Sequence, residues 1–186
     1  GLMADVRTFL RQVLAELDRR TDTIKKLDAR QKWLEEIDGY RKEWDKLVAP
    51  GFSDDTTPIN PQRAAFEIQR GLPDDAILVS DIGVHHNWLL GYTKPRRPDS
   101  LIGCMAFGAM GFGVAGVMGA KFAAPDRPCV SVCGDGGFAM TMHALMTAIE
   151  EHLPIVNIVL NNQALGWVYH GQGERRGQDD ANGFQV

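Results

Sequence analysis

The chain has 186 residues, of which 44% are hydrophobic and 24% are charged, and its formal net charge is −4. This composition is typical of a globular protein with enough apolar material for a core, and it excludes disordered and fibrous classes. The negative charge argues against nucleic-acid binding, and no apolar run reaches the roughly 18 to 20 residues of a membrane helix.

Charged residues are concentrated at the start of the sequence. The first 50 residues hold nearly half of all charged side chains, whereas the later part of the chain holds few. We therefore predict a boundary near Pro50, between a helical segment, 1–50, and a buried domain, 51–186. Within the first segment, two apolar series at helical spacing, 6–17 and 27–47, predict two helices. We expect this segment to be a helical appendage.

The second segment predicts alternating strands and helices. It opens with a turn-rich linker, 50–60, and a helix from Pro61 to about Arg70, with Asn60 as its N-cap. Further elements follow from apolar periodicity: strands at 76–80, 101–103, 128–133 and 155–160, and helices at 110–123, 138–151 and 164–170. Short apolar strands separated by helices imply parallel pairing and right-handed crossovers. The predicted fold is α/β: a doubly wound parallel sheet in a three-layer αβα arrangement, preceded by a helical linker.

Polar residues follow the last two predicted strands. Gly134-Asp135-Gly136-Gly137 comes after one strand, and Asn161-Asn162 comes after the next. In a βαβ unit both motifs emerge at the same edge of the sheet, where ligands of open α/β sheets bind. A carboxylate and an amide oxygen suit Mg²⁺, and the glycines leave backbone N–H groups for an anion. These features predict a diphosphate held through a metal, and the alternative is a helix cap at Asp135 with a simple turn at Asn161-Asn162.

These motifs resemble the signature of thiamine diphosphate (ThDP) enzymes. The resemblance covers nearly the whole chain and looks closest to the acetolactate synthase group. Residues 106–113 are similar to that group's glycine-rich segment, and residues 81–85 resemble its first diphosphate-contacting loop. Residues 5–48 resemble the end of the family's middle domain and the linker that leaves it. The resemblance implies a ThDP-binding fold, a chain that is a fragment or a split subunit truncated at its C-terminus, and no catalysis by this chain alone.

The resemblance also implies a set of site residues. The metal ligands would be the side chains of Asp135 and Asn162 and the backbone carbonyl of Ala164. Met110 would be the apolar wedge that bends the cofactor, and the Gly108 carbonyl would accept a hydrogen bond from its aminopyrimidine. Five residues would surround the diphosphate: Gly83, His85, Gly136, Gly137 and Gly166.

The activity implied by the resemblance is decarboxylation of a 2-keto acid such as pyruvate, followed by ligation to a second carbonyl compound. The nearest alternative is a simple decarboxylase or a C–C lyase on the same scaffold. The family's activating glutamate is expected on a pyrimidine-binding domain of the same or a neighbouring subunit, and no segment here corresponds to that domain. A homodimer or homotetramer is therefore expected. FAD occurs in part of this group, but the segment that would hold it lies outside these residues.

Two positions depart from the acetolactate synthase pattern. Val84 stands where glutamine is usual, which removes one polar contact to the diphosphate. Trp167 stands where methionine is frequent, so the substrate stays open, as do the roles of Trp167 and His170. His86 could also contact phosphate, but adjacent loop residues rarely both do, and we favour His85. We expect His143 and His152 to be structural or exposed.

The glycines from Gly111 to Gly116 allow a competing interpretation. They fit the GxGxxG pattern of an NAD-dependent dehydrogenase, with Asp135 further along at a strand end. This reading does not account for the Gly-Asp-Gly-Gly turn or for Asn161-Asn162.

The three cysteines indicate the redox environment. Cys104, Cys129 and Cys133 form no CxxC motif, so we expect reduced thiols in a cytoplasmic protein.

Overall fold

A computed structural model describes residues 1, 3–22 and 28–176, and the chain divides into two compact units at Pro50. In the first unit, α1 (Val6–Arg19) and α2 (Asp28–Phe52) are found where the apolar series predicted helices, although Leu27 lies outside the described residues. The apolar stripe of α1 is exposed, and the helix contains no buried residue. In the part of the chain that the structure describes, no helix is both long and apolar enough to span a membrane.

A parallel sheet organises the second unit. Its strands are β1 (Ile77–Ser80), β2 (Leu101–Gly103), β3 (Cys129–Gly134) and β4 (Ile155–Leu160). They lie in the order β2-β1-β3-β4, and every neighbouring pair is parallel. The helices are α3 (Pro61–Gly71), α4 (Val84–Tyr92), α5 (Phe112–Ala123), α6 (Asp135–Thr141), α7 (Leu145–Glu150) and α8 (Gly166–Arg176). The predicted α/β fold with a parallel sheet is confirmed.

Helices pack on both faces of the sheet and give it three layers. One face joins strand residues to α3 and α4 through a buried cluster: Ala65, Leu78, Leu89, Val130 and Val132. The opposite face joins the strands to α5 through a second cluster: Ile77, Val79, Val117, Ala120 and Cys129. Successive strand residues point to opposite faces, so strands that are covered on both faces are mostly apolar, with Ser80 and Ser131 as buried exceptions. This explains the short apolar runs in the sequence.

The glycines of α5 allow this helix to lie close to the sheet. A Cβ atom at Gly113 would lie 2.4 Å from Cys133 Sγ, and one at Gly116 would lie 3.1 Å from Val79 Cγ1. In addition, β2 ends well before α5 begins, so no strand runs directly into the glycine pattern. These glycines therefore serve helix–sheet packing, and the structure gives no support to the dinucleotide interpretation.

The predicted helix over 138–151 is wrong as a single element. The chain enters α6 at Asp135, directly from β3, and α6 ends at Thr141 before a 3₁₀ turn, Met142–Ala144, leads into α7. At Thr141 the backbone leaves the helical region, with φ −132°, and the side-chain hydroxyl donates to the carbonyl of Gly111 at 2.9 Å. The helix is therefore interrupted at the residue that bonds to Gly111, in a distant segment of the chain.

Other element boundaries differ from the predictions by smaller amounts. The strands shift by at most one residue. Helix α5 begins two residues later than predicted, because Gly111 before it has a φ of +86°. Helix α2 continues through Pro50 to Phe52, which shortens the predicted linker. Helix α8 begins at Gly166 rather than at Ala164 and extends beyond His170.

Two basic side chains hold the amino edge of the sheet. The guanidinium of Arg127 donates to the carbonyl of Asp75 at 2.7 Å and, more loosely, to those of Ala76 and Asp99 at 3.5 Å. The buried ammonium of Lys121 donates to the carbonyl of Arg127 at 2.9 Å. These hydrogen bonds connect helix α5 with the segments that lead into β1, β2 and β3.

We expect Arg127→Ala to lower the free energy of unfolding by about 1–3 kcal/mol, because carbonyl groups at the sheet edge lose a charged donor. Arg70→Ala is the matched control, since Arg70 pairs with Glu67 on the surface and its loss should cost less than about 0.5 kcal/mol. Urea unfolding followed by circular dichroism measures both values. Equal losses in the two variants would contradict the role given to Arg127.

Candidate functional site

Parallel pairing of β3 and β4 brings the two polar motifs into contact. The last paired residues are Gly134 and Leu160, so Asp135 and the turn after β4 begin side by side. Asp135 Oδ2 accepts a hydrogen bond from the N–H of Gln163 at 2.6 Å, and Oδ1 accepts one from the N–H of Gly136 at 2.9 Å. Asp135 therefore bonds directly to the turn that carries the two asparagines.

The turn after β4 is shaped by its own asparagine side chains. Asn161 Oδ1 accepts a hydrogen bond from the N–H of Gln163 at 2.9 Å, and Asn162 Oδ1 accepts one from that of Ala164 at 3.3 Å. Gln163 has a φ of +56°, in the left-handed region. The local backbone at Asn161-Asn162 is therefore the simple turn that we gave as the alternative. Asn162 and Ala164 stand on either side of Gln163, whose N–H binds Asp135.

His85 lies buried between the carboxyl ends of β1 and β3. A Cβ atom on Gly83 would lie 2.7 Å from the His85 Nδ1 atom, and one on Gly134 would lie 3.4 Å from it. Among the described residues, His85 Nε2 is the buried side-chain polar atom that lacks a hydrogen-bond partner. Since buried polar atoms are normally paired, a ligand group at this position would supply the missing bond.

His86 uses both of its ring nitrogens within the protein. Nδ1 shares a hydrogen bond with the hydroxyl of Ser80 at 2.8 Å, and Nε2 contacts Met105 Sδ at 2.9 Å. This anchors the segment that leaves β2. Burial lowers the pKa of both His85 and His86, and the nearby charge of Asp81 opposes this effect. Of the two adjacent histidines, His85 is the one with a nitrogen available to a ligand.

The start of α8 meets the loop that follows β1. A Cβ atom at Gly166 would lie 3.0 Å from Val84 Cγ2 and 3.2 Å from Asn162 Nδ2. Trp167, the next residue, is 55% exposed. The segments that follow β1, β3 and β4 therefore converge at one edge of the sheet.

The glycine-rich segment after β2 contributes a different part of this edge. Gly108 is exposed, has a φ of +70° and donates its N–H to the Cys104 carbonyl at 3.2 Å. A Cβ atom there would have no neighbour within 4 Å, so its backbone borders open space. Met110 is half-buried and immediately precedes Gly111, whose hydrogen bonds reach Asp81, directly after β1, and Thr141 of α6. The structure joins this segment to the site through Gly111 rather than through Gly108 or Met110.

Our sequence reasoning missed Asp81. This residue follows β1 directly and is fully buried, with 0% of its surface exposed. Its Oδ1 atom accepts hydrogen bonds from the N–H groups of Ile82 at 2.7 Å, Gly111 at 3.0 Å and Phe112 at 3.2 Å. The strand-end argument that selected Asp135 would also have found Asp81.

The oxygen atoms at this edge fit a hard divalent cation. A carboxylate, an amide oxygen and a backbone carbonyl are the donors that Mg²⁺ prefers. No cluster of three or more His, Cys, Asp or Glu side chains suited to a metal occurs in the described part of the chain. A metal at Asp135 would therefore complete its coordination with neutral oxygens, water and ligand phosphates.

The two buried histidines predict a stability that depends on pH. Their pKa is lower in the folded protein than in the unfolded chain, so the unfolded state takes up protons first as the pH falls below about 6.5. The free energy of unfolding should fall between about pH 7 and about pH 5.5, above the range in which ordinary carboxylates titrate. Urea unfolding at several pH values measures this dependence.

Two histidine variants separate the buried rings from other groups. His86→Gln should weaken the pH dependence, because one of the two buried rings is removed. His143→Gln changes an exposed histidine and should leave the dependence as it is. An unchanged slope in His86→Gln would show that burial of this ring does not govern the effect.

Comparison with protein families identifies the second unit. Residues 81–185 match the model described as "Thiamine pyrophosphate enzyme, C-terminal TPP binding domain". Thiamine pyrophosphate is another name for ThDP. The match begins at Asp81, so it covers every residue that we placed at the carboxyl edge of the sheet.

Curated relatives are similar over most of this chain. "Putative thiamine pyrophosphate-containing protein YdaP" of Bacillus subtilis is 30% identical, over 92% of this chain and 29% of its own length. "Probable acetolactate synthase large subunit" of Methanocaldococcus jannaschii is 32% identical, over 95% and 29%. Sulfoacetaldehyde acetyltransferase of Alcaligenes xylosoxydans xylosoxydans is 30% identical, over 79% and 25%. The chain thus spans less than a third of the length of these relatives.

Proposed function

This chain belongs to the thiamine pyrophosphate enzymes, and from that membership we propose that it supplies the diphosphate- and Mg²⁺-binding half of a ThDP site. The enzyme in question decarboxylates a 2-keto acid such as pyruvate and ligates the product to a second carbonyl compound. The acetolactate synthase named among the relatives supports this reaction class.

One observation carries the proposal. The hydrogen bond of 2.6 Å from the N–H of Gln163 to Asp135 Oδ2 joins the Gly-Asp-Gly-Gly turn to the turn with two asparagines. A carboxylate at one parallel strand end is therefore adjacent to an amide and a backbone carbonyl at the next. In this proposal Asp135, Asn162 and the carbonyl of Ala164 would hold Mg²⁺, which would supply positive charge for the diphosphate.

The residues around the diphosphate follow from the same edge of the sheet. Gly136 and Gly137 are buried immediately after Asp135, and His85 has its unpaired Nε2 atom next to the end of β3. The backbone of Gly83 lies close to the side chain of His85, and that of Gly166 lies close to the side chain of Val84. In this proposal the backbone at the glycines comes close to the phosphate oxygens, and His85 donates a hydrogen bond to one of them.

The glycine-rich segment would position the organic part of the cofactor. When bound, ThDP supplies the electron sink for breaking and making bonds next to a carbonyl carbon. The carbonyl of Gly108, on exposed backbone, would accept a hydrogen bond from the aminopyrimidine. Met110 would provide the apolar surface that keeps the cofactor bent. These two residues orient the cofactor, whereas Asp135 and its neighbours retain it.

The proposal requires a second domain. A pyrimidine-binding domain, in the same or a neighbouring subunit, would bring the glutamate that activates the cofactor, and a homodimer or homotetramer would result. FAD would bind outside these residues if the enzyme uses it. The three free cysteines, two of them buried, support a reducing compartment such as the cytoplasm.

The printed names of the relatives guide the choice of substrates to test. One name specifies acetolactate synthesis and another specifies sulfoacetaldehyde as a substrate. The enzyme that contains this chain should be supplied with pyruvate alone and then with sulfoacetaldehyde, with product analysis by mass spectrometry. We expect carbon dioxide release and a carboligation product from pyruvate. Turnover of sulfoacetaldehyde alone would assign a different reaction to the same cofactor site.

Asp135→Asn tests the metal assignment directly. This change keeps the size of the side chain but removes the charge, so binding of inorganic diphosphate in the presence of Mg²⁺ should weaken by more than about 100-fold. Isothermal titration calorimetry measures the affinity, and circular dichroism reports whether the fold is retained.

The matched control is Asp126→Asn, at an exposed turn after α5. It should leave the affinity for diphosphate within about 2-fold of the original value, because the site lies at the opposite edge of the sheet. If Asp135→Asn binds diphosphate as tightly as the unchanged chain while remaining folded, the metal assignment fails.

A further inference from the structure

The buried carboxylate of Asp81 connects three segments of the site. Besides the N–H groups of Ile82, Gly111 and Phe112, it contacts the start of α6: a Cβ atom on Gly137 would lie 2.6 Å from Asp81 Oδ2. The backbone N–H of Asp81 donates to the Val132 carbonyl at 2.9 Å, which fixes the residue to β3. A buried carboxylate needs such donors, and N–H groups at the start of a helix provide them at low cost.

Gly111 is held from its other side by Thr141. The hydroxyl of Thr141 donates to the Gly111 carbonyl at 2.9 Å, while the N–H of Gly111 binds Asp81. There is no room for a larger residue, because a Cβ atom on Gly111 would lie 3.0 Å from Thr141 Cγ2 and 3.3 Å from Met140 Cβ. The N–H and the carbonyl of Gly111 are therefore fixed by two side chains from different elements.

These contacts link the two halves of the proposed site. Thr141 ends the short helix that Asp135 begins, so its hydroxyl is rigidly connected to the metal-binding half. Gly111 directly follows Met110, the residue proposed to contact the organic part of the cofactor. The position of Met110 relative to Asp135 thus depends on the bonds at Gly111.

We propose that Asp81 and Thr141 are positioning residues for ThDP, which hold Met110 and the Gly108 carbonyl at a fixed distance from the metal-binding half of the site. This inference rests on the proposed function, because it assumes that Asp135 and its neighbours bind the diphosphate. Neither residue contacts the cofactor itself. Loss of the Thr141 hydroxyl, which binds only the Gly111 carbonyl, affects the organic part of the cofactor and leaves the diphosphate contacts in place.

The test compares two ligands that share the diphosphate group. Isothermal titration calorimetry of the full chain with Mg²⁺ measures binding of ThDP and of inorganic diphosphate. Thr141→Val removes the hydroxyl without changing the size of the side chain, and it should weaken ThDP binding about 10-fold, a loss on the scale of one hydrogen bond. Binding of inorganic diphosphate should stay within about 2-fold.

Three further variants make the test specific. Thr141→Ser keeps the hydroxyl and should restore ThDP binding, whereas Thr147→Val changes an exposed threonine of α7 and should affect neither ligand. Asp81→Asn should weaken ThDP binding as well, because it removes the charge that holds the N–H of Gly111. If Asp81→Asn does not fold, the threonine variants still decide the question.

The possible outcomes separate this inference from the proposed function. Equal losses for both ligands in Thr141→Val, or no loss for either, overturn the inference and leave the metal assignment intact. The inference is also overturned, with the metal assignment intact, if the unchanged chain binds inorganic diphosphate but does not bind ThDP. If the unchanged chain does not bind inorganic diphosphate with Mg²⁺, the proposed function itself fails.

Discussion

Parallel pairing around β3 is the constraint on which the candidate site depends. β3 pairs with β1 on one side and with β4 on the other, so three carboxyl ends and their following segments meet at one edge. The register to β4 is reinforced inside the sheet, where the hydroxyl of Ser131 donates to Asn157 Oδ1 at 2.6 Å between paired residues. A shift of one residue would break this bond and separate Asp135 from the turn that it binds.

The segments at this edge pack closely because glycines lie against the buried carboxylate of Asp81. Gly113 and Gly137 leave the space that the Asp81 carboxylate fills, and backbone N–H groups satisfy its oxygens. The arrangement is rigid because neither component can change alone. A side chain at Gly137 would collide with the carboxylate, and one at Gly113 would collide with Cys133 Sγ. The loss of the carboxylate would leave buried donors unpaired.

The sheet and the position of the site could be predicted from the sequence, because both follow from local patterns. Strands covered on both faces are short, mostly apolar runs, and polar residues directly after them mark the edge where the candidate site lies. The interruption at Thr141 could not be predicted, since it accompanies a bond to Gly111, thirty residues away in the chain. Asp81 could be recognised as a carboxylate at a strand end, but its equally distant bonds to Gly111 could not. The metal and diphosphate roles of individual residues stay predictions, and so does the domain boundary.

The unequal burial of the three cysteines makes this protein selectively addressable by chemical labelling. Burial raises the pKa of Cys129 and raises that of Cys133 to about 11, so both thiols stay protonated and shielded at neutral pH. Cys104 is partly exposed and begins the segment that leads to Gly108 and Met110. A fluorophore attached at Cys104 would therefore report optically on the segment beside the proposed cofactor site, without any engineered cysteine.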